Sequence, residues 1–185
     1  MQDQFEKLFA NGFITVEKHI PTGFTVVRSS DAVAVFILVK NRGVLLIKQC
    51  RPALISEENP TGELIETVAG RFDVNLSPAQ LIIKEVEEEV GGHITENQVF
   101  FLNNGIPLAV GAGLITDQIY LAYAEVDESQ IEQTERTFGH PKEGEKITRM
   151  FVSIDELKKM TFHDLKTFAL VQWFLREYET ERFIK

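Results

Sequence analysis

The chain has 185 residues, with 19 basic and 28 acidic side chains, a formal net charge of −9 and 44% apolar residues. This is the composition of a globular chain long enough for one domain with a sizeable core. The negative balance argues against binding a nucleic-acid backbone or an anionic membrane as direct partners. The first ten residues, MQDQFEKLFA, show no basic start leading into an apolar stretch, so no signal peptide is expected. The single cysteine, Cys50, cannot form an internal disulfide; it sits in an apolar run and is expected to be an inert buried thiol. Together these features predict a cytoplasmic protein.

In chain order, residues 13–20 and 24–28 read as two strands around the turn Pro21-Thr22-Gly23. Residues 32–39 are continuously apolar, the mark of a strand buried on both faces. Asn41-Arg42-Gly43 turns into a partner strand at 44–49, giving a hairpin. Residues 56–62 are a loop, and 63–69 a strand ending at Gly70. Further strands are expected at 98–103, 116–124 and 147–152. Between the last two, the polar stretch 127–146 carries only Ile131 and Phe138 as large apolar residues. A loop of that length in a compact domain is usually functional or disordered.

Capping boxes predict three helices. Ser77 to Gln80 opens one, with Pro78 at its first position, running to about Val90 and stopping at Gly91-Gly92. Ser153 to Glu156 opens a short one. Thr161 to Asp164 opens a long one reaching about Tyr178, with Leu165, Phe168, Ala169, Phe174 and Leu175 as its packing face and Trp173 as packing. Strands and helices mix without regular βαβ alternation, so the class is α+β, a sandwich built on a mixed sheet.

The helix at 78–90 is the most informative segment. At about 100° per residue, Glu85, Glu88 and Glu89 fall within one arc, Ile82, Ile83, Val86 and Val90 in the neighbouring one, and Glu87 points to solvent. Like charges at these spacings repel, and a bound divalent cation relieves them. Carboxylates are hard ligands suited to magnesium, manganese or calcium. The histidines at 19, 93, 140 and 163 have no zinc-type spacing.

Residues 70–92, GRFDVNLSPAQLIIKEVEEEVGG, resemble the Nudix box, with Gly70, Glu85, Val86, Glu88, Glu89 and Gly91 in register. Leu76 stands where that pattern has its first Glu, Lys84 where it has Arg, and Gly92 where it has a bulky apolar residue. Lys84 keeps the charge but not the bidentate fork. The likeness extends over most of residues 30–178, toward the ADP-ribose and nucleotide-sugar pyrophosphatase branch. VLLIKQCR at 44–51 resembles a strand ending in Gln-x-Arg, ETVAG at 66–70 the branch's Glu-x-x-Ala-Gly, residues 111–124 a Gly-containing substrate loop and strand, and Glu143 to Ile147 a late acidic segment.

The resemblance implies a Nudix-type α/β/α sandwich at 30–185. Residues 1–29 would form a small antiparallel N-terminal sheet that builds a homodimer. It implies an enzyme that uses Mg2+ or Mn2+ to hydrolyse the diphosphate bridge of a nucleoside diphosphate sugar, of ADP-ribose or UDP-glucose type. The products would be a nucleoside monophosphate and a sugar phosphate. Glu85, Glu89, Glu66 and the Ala69 carbonyl would hold metal, with Glu88 assisting. Glu143 or Glu145 would be the general base, and Arg51, Arg71 and Gly111 would contact substrate. Tyr120, Tyr123 and Phe138 could stack on a base or simply pack. The alternatives are a non-catalytic nucleotide-sugar sensor, a hydrolase for another nucleoside diphosphate derivative, and a structural or interaction domain whose acidic helix is only a solvated surface.

Overall fold

The computed structural model describes residues 4–73, 75–134, 136–140 and 144–180. Three antiparallel strands come first, β1 (Phe5–Ala10), β2 (Thr15–His19) and β3 (Thr25–Arg28), in the order β1-β2-β3. β1 was not expected: its charged and apolar residues lack clean alternation, and it is strand because β2 offers it a partner edge.

The second sheet has eight strands: β4 (Ala32–Val39), β5 (Gly43–Cys50), β6 (Glu63–Glu66), β7 (Val68–Arg71), β8 (Phe100–Phe101), β9 (Leu108–Ala109), β10 (Gln118–Val126) and β11 (Thr148–Val152). The path is β11-β5-β4-β10-β8, with β6 on β5, β7 on β4 and β9 on β10. β4 and β10 run parallel and the other pairs antiparallel, so the sheet is mixed. Among the described residues three α-helices complete the fold: α1 (Pro78–Val90), α2 (Ile154–Leu157) and α3 (Leu165–Glu179).

β4 explains the layering. Val33, Val35, Ile37 and Val39 pack with Leu81, Ile82, Val86 and Val90 of α1. Ala34 and Phe36 pack with Leu157 of α2 and with Leu170, Val171 and Phe174 of α3. Alternate side chains of one strand thus feed two cores, which is why its sequence is apolar without a break. The expected α/β/α sandwich with a small N-terminal antiparallel sheet is what forms.

Several local expectations are corrected. The strand over 63–69 breaks at Thr67, whose N–H donates a hydrogen bond to Thr167 Oγ1 at 2.9 Å; the chain leaves β5 there and joins β4. Only Phe100–Phe101 of the 98–103 segment is strand. The long helix starts at Leu165, because the Asp164 carboxylate rather than Thr161 caps it, through the Thr167 N–H at 2.9 Å. Its buried face is Thr167, Leu170, Val171 and Phe174, so Leu165 and Phe168, 65% and 48% exposed, lie outside it. Cys50 is exposed: it is the last residue of β5, beyond the buried part of the strand. Tyr123 and Phe138 are core residues, and Tyr120 packs edge-on against Phe72 and Phe101. Among the described residues no helix is long and apolar enough to cross a membrane.

Candidate active site

α1 is fixed at both ends by its own sequence. Ser77 and Gln80 form the reciprocal capping box, and Gly91 ends the helix in the left-handed conformation at φ 61°. With the apolar stripe buried against the sheet, Glu85, Glu88 and Glu89 face a cavity of about 580 Å3 at the edge of β7. Glu87 is exposed, as the helical spacing requires. Arg51, Ala69, Gly70, Arg71, Lys84, His140, Glu145 and Lys166 also line the cavity.

Each approach has a local cause. The Glu85 carboxyl lies over Gly70, where a Cβ would stand 2.2 Å from Glu85 Cδ. Only glycine lets the helix side chain sit so close to the strand. Glu89, 3% exposed, accepts from the Ala69 N–H at 3.2 Å. In an antiparallel strand a residue's N–H and carbonyl point to the same side. The Ala69 carbonyl therefore faces the same edge as Glu89.

The electrostatics separate two kinds of carboxylate. Burial, reinforced by Glu88 and Glu145 and opposed by Lys84, pushes Glu85 up to about 7. Burial and the neighbouring Glu85 hold Glu89 well above the ordinary carboxylate range, against the pull of the Ala69 N–H. Glu66, fully buried, is already neutralised: Arg51 Nε donates to one oxygen at 2.7 Å and Lys166 Nζ to the other at 2.5 Å. Lys166 is also paired with Asp164 at 3.0 Å. Burial would lower the Arg51 pKa, but Glu66, with Glu89 and Glu145 behind it, raises it on balance.

The donor chemistry of Glu85 and Glu89 fits a hard divalent cation: acceptor-only oxygens, withdrawn from water and crowded by like charge. Glu66 does not offer a free oxygen as it stands. Lys84 holds Glu88 at 2.7 Å and reaches Glu85 at 3.4 Å, so Glu88 faces a cation of the chain itself. Among the described residues no group of three or more Asp, Glu, His or Cys side chains is arranged to hold a metal ion.

The other sequence candidates divide. Arg71 lines the cavity and its guanidinium reaches the Phe13 carbonyl at 3.5 Å. Glu145 lines it and accepts from the His140 N–H at 3.1 Å. Glu143 lies outside the described residues. Gly111 is not among the cavity residues; its carbonyl accepts from the Leu114 and Ile115 N–H groups in the loop that docks on β3. Lys166, Asp164, His140 and Arg149 were not singled out by sequence. Lys166 meets Glu66 across 100 positions, a separation that no local pattern encodes.

The departures from the box have local explanations in part. Leu76 packs against the α1-side core. At Gly92 a Cβ would stand 2.6 Å from Val86 Cγ1 and 3.2 Å from Ile131 Cδ1, so Ile131 of the long loop occupies the space of a bulky residue there.

The chain is 35% identical over 103 residues to a GDP-mannose pyrophosphatase of Escherichia coli O1:K1 / APEC, covering 56% of this chain and 51% of that protein. It is 34% identical over 103 residues to one of Shigella flexneri serotype 5b, with the same shares covered. It is 38% identical over 97 residues to one of Enterobacter sp. strain 638, covering 51% of this chain and 48% of that protein. The chain thus spans about half the length of the curated relatives it matches. The family model described as NUDIX domain matches residues 28–174, which take in β4, α1 and every described residue of the cavity except those of the N-terminal segment. With its box helix, its glycine-floored carboxylates and that match over most of its length, the chain belongs to the NUDIX domain family.

Proposed function

We propose that this chain is a Nudix pyrophosphatase that hydrolyses the diphosphate bridge of a nucleoside diphosphate sugar. The observation that carries the reading is the pair Glu85 and Glu89, withdrawn from water and crowded beside a cavity that Arg51 and Lys166 also line. Acidic and basic side chains lining one cleft suit a diphosphate that arrives with a divalent cation. The relatives named as GDP-mannose pyrophosphatases make GDP-mannose the first substrate to test, ahead of ADP-ribose and UDP-glucose.

Nudix hydrolases use divalent metal ions. Glu85 and Glu89 would hold one here, with the Ala69 carbonyl on the same edge. When bound it supplies charge neutralisation of the diphosphate and a more acidic water. Arg51, fixed in direction by Glu66, would bind a phosphate oxygen, and Arg71 would extend the cationic wall. Glu145 would take the proton of the attacking water as its oxygen bonds to phosphorus. The bond from that phosphorus to the bridging oxygen breaks, releasing a nucleoside monophosphate and a sugar phosphate.

The test is product analysis over GDP-mannose, ADP-ribose and UDP-glucose with Mg2+, Mn2+ and chelator. Monophosphate release that requires metal supports the reading. Absence of turnover with every metal, while ligand still binds, would make the protein a sensor. We also propose a homodimer through the N-terminal sheet, where Leu8, Phe9, Phe13, Ile20 and Phe24 are 53–77% exposed. A monomer by light scattering at micromolar concentration would refute it.

A further inference from the structure

The mechanism above does not use Arg149, a guanidinium on β11 committed to the backbone of two other segments. Its Nη1 donates to the Val90 carbonyl at 2.9 Å and to the Glu132 carbonyl at 2.7 Å, and its Nη2 to the Thr134 carbonyl at 2.8 Å. Its guanidinium carbon also lies 4.3 Å from the centre of the Phe138 ring. Phe138 is 2% exposed, so the ring under the guanidinium is fixed in the core.

The last carbonyls of a helix have no partner within it and must find donors outside. In α1 the Gly91 N–H serves the Glu87 carbonyl, and the long loop and β11 supply two further donors. Gly139 N–H donates to the Glu88 carbonyl at 3.2 Å, and Arg149 serves Val90. The Glu132 N–H donates to Gly91 and the His93 N–H to the Gln130 carbonyl. Ile131 bridges to Gly92, and Phe138 pairs with Ile147. The loop is therefore tied to the helix turn that carries Glu88 and Glu89, and next to these ties His140 N–H holds the Glu145 carboxylate.

We propose that Arg149 is a positioning residue, which holds residues 132–134 and 136–140 against the C-terminal turn of α1 and so sets the place of the Glu145 carboxylate in the cavity shared with Glu85 and Glu89. A guanidinium is suited to this: its donors lie on separate nitrogens in a fixed planar fork, a spread that the single nitrogen of an ammonium does not have. The kinetic part rests on the reading of Glu145 as base; the structural part does not.

The test combines amide hydrogen exchange, steady-state kinetics with GDP-mannose and Mg2+, and calorimetric titration with Mn2+. In Arg149→Gln, exchange at residues 136–140 and 144–147 should quicken by about tenfold or more, with residues 78–90 unchanged. kcat should fall by about tenfold or more, since misplacing a catalytic group by about 1 Å can cost about a hundredfold. KM and Mn2+ affinity should stay within about twofold. Arg149→Lys should not restore kcat. In a Glu145→Gln background, Arg149→Gln should add less than about twofold, because the two act through one carboxylate.

Gly139→Ala tests the same coupling with Arg149 intact: Gly139 has φ +96°, and a Cβ there would stand 2.9 Å from Glu145 Cβ. It should reproduce the kcat loss, and it decides the matter if Arg149→Gln does not fold. Unchanged exchange in the Arg149 variant overturns the proposal. So does the full multiplicative loss in the Glu145→Gln background. If the wild-type protein hydrolyses no nucleotide sugar, the functional reading fails and the exchange result alone decides this one.

Discussion

Glu66 and Glu89 are both buried acids, yet they are opposites. Glu66 has a cation on each oxygen, Arg51 and Lys166. Glu89 has one backbone N–H and a second acid, Glu85, beside it. Burial alone does not decide what a carboxylate does; its supply of positive charge does. Glu66 is complete and spends its charge on aiming two cations. Glu89 and Glu85 are incomplete, and a cation from solution is what would complete them.

The sharpest way to break this contrast is Glu89→Gln. Turnover should fall by about 10³-fold or more, since metal stabilisation of the transition state amounts to several kcal/mol. The metal-free Tm should hold or rise, because a carboxamide removes a buried carboxyl that has no cation beside it and another acid next to it. Retained turnover would take α1 out of the mechanism.

The pH dependence of metal-free stability comes next. Glu85 moves from 4.5 to about 7 on folding, and Glu89 shifts in the same direction. An acid raised in the folded state contributes stability that is full below about pH 4.5 and lost as pH rises through about 7. The shift at Glu85 corresponds to about 3 kcal/mol. Denaturant unfolding of metal-free protein should weaken across that window, and Mn2+ should restore more stability at pH 8 than at pH 5. A flat profile would mean that the pair is already neutralised.

Glu66→Gln should behave in the opposite way to Glu89→Gln on stability. It leaves two cations facing a buried amide and should cost about 2 kcal/mol, less than a fully buried pair because Arg51 is 37% exposed. Chemical denaturation measures it. The smallest effect is expected for Lys84→Met, which removes a half-exposed pair with Glu88 and should change stability by under about 0.5 kcal/mol. A larger change in its denaturation midpoint would make Lys84 a structural replacement for the missing Arg fork.

The legible part of the molecule was the part whose cause is local. The capping box at Ser77 and Gln80, the stop at Gly91 and the spacing of Glu85, Glu88 and Glu89 are one helix's internal geometry, and they form as read. The apolar run of β4 likewise told that both its faces are covered. Errors gathered where another segment decided. Thr161 and Asp164 are both able to cap, and the contact of Thr167 with Thr67 accompanies a helix that starts at Leu165. Leu165 and Phe168 are apolar without being core, because α3 turns Leu170 and Phe174 to the sheet. Cys50 is exposed because its strand ends where its cover ends.

By itself, the sequence determined that three carboxylates share one face of a capped helix beside a buried stripe, since a helical repeat of 3.6 residues leaves them nowhere else to go. Only the tertiary structure decided which acids keep their charge uncompensated. The partners of Glu66 come from 15 and 100 residues away, and the groups that place Glu145 come from β11 and the long loop. Coulomb and hydrogen-bond energies depend on distance in space, which chain separation does not fix.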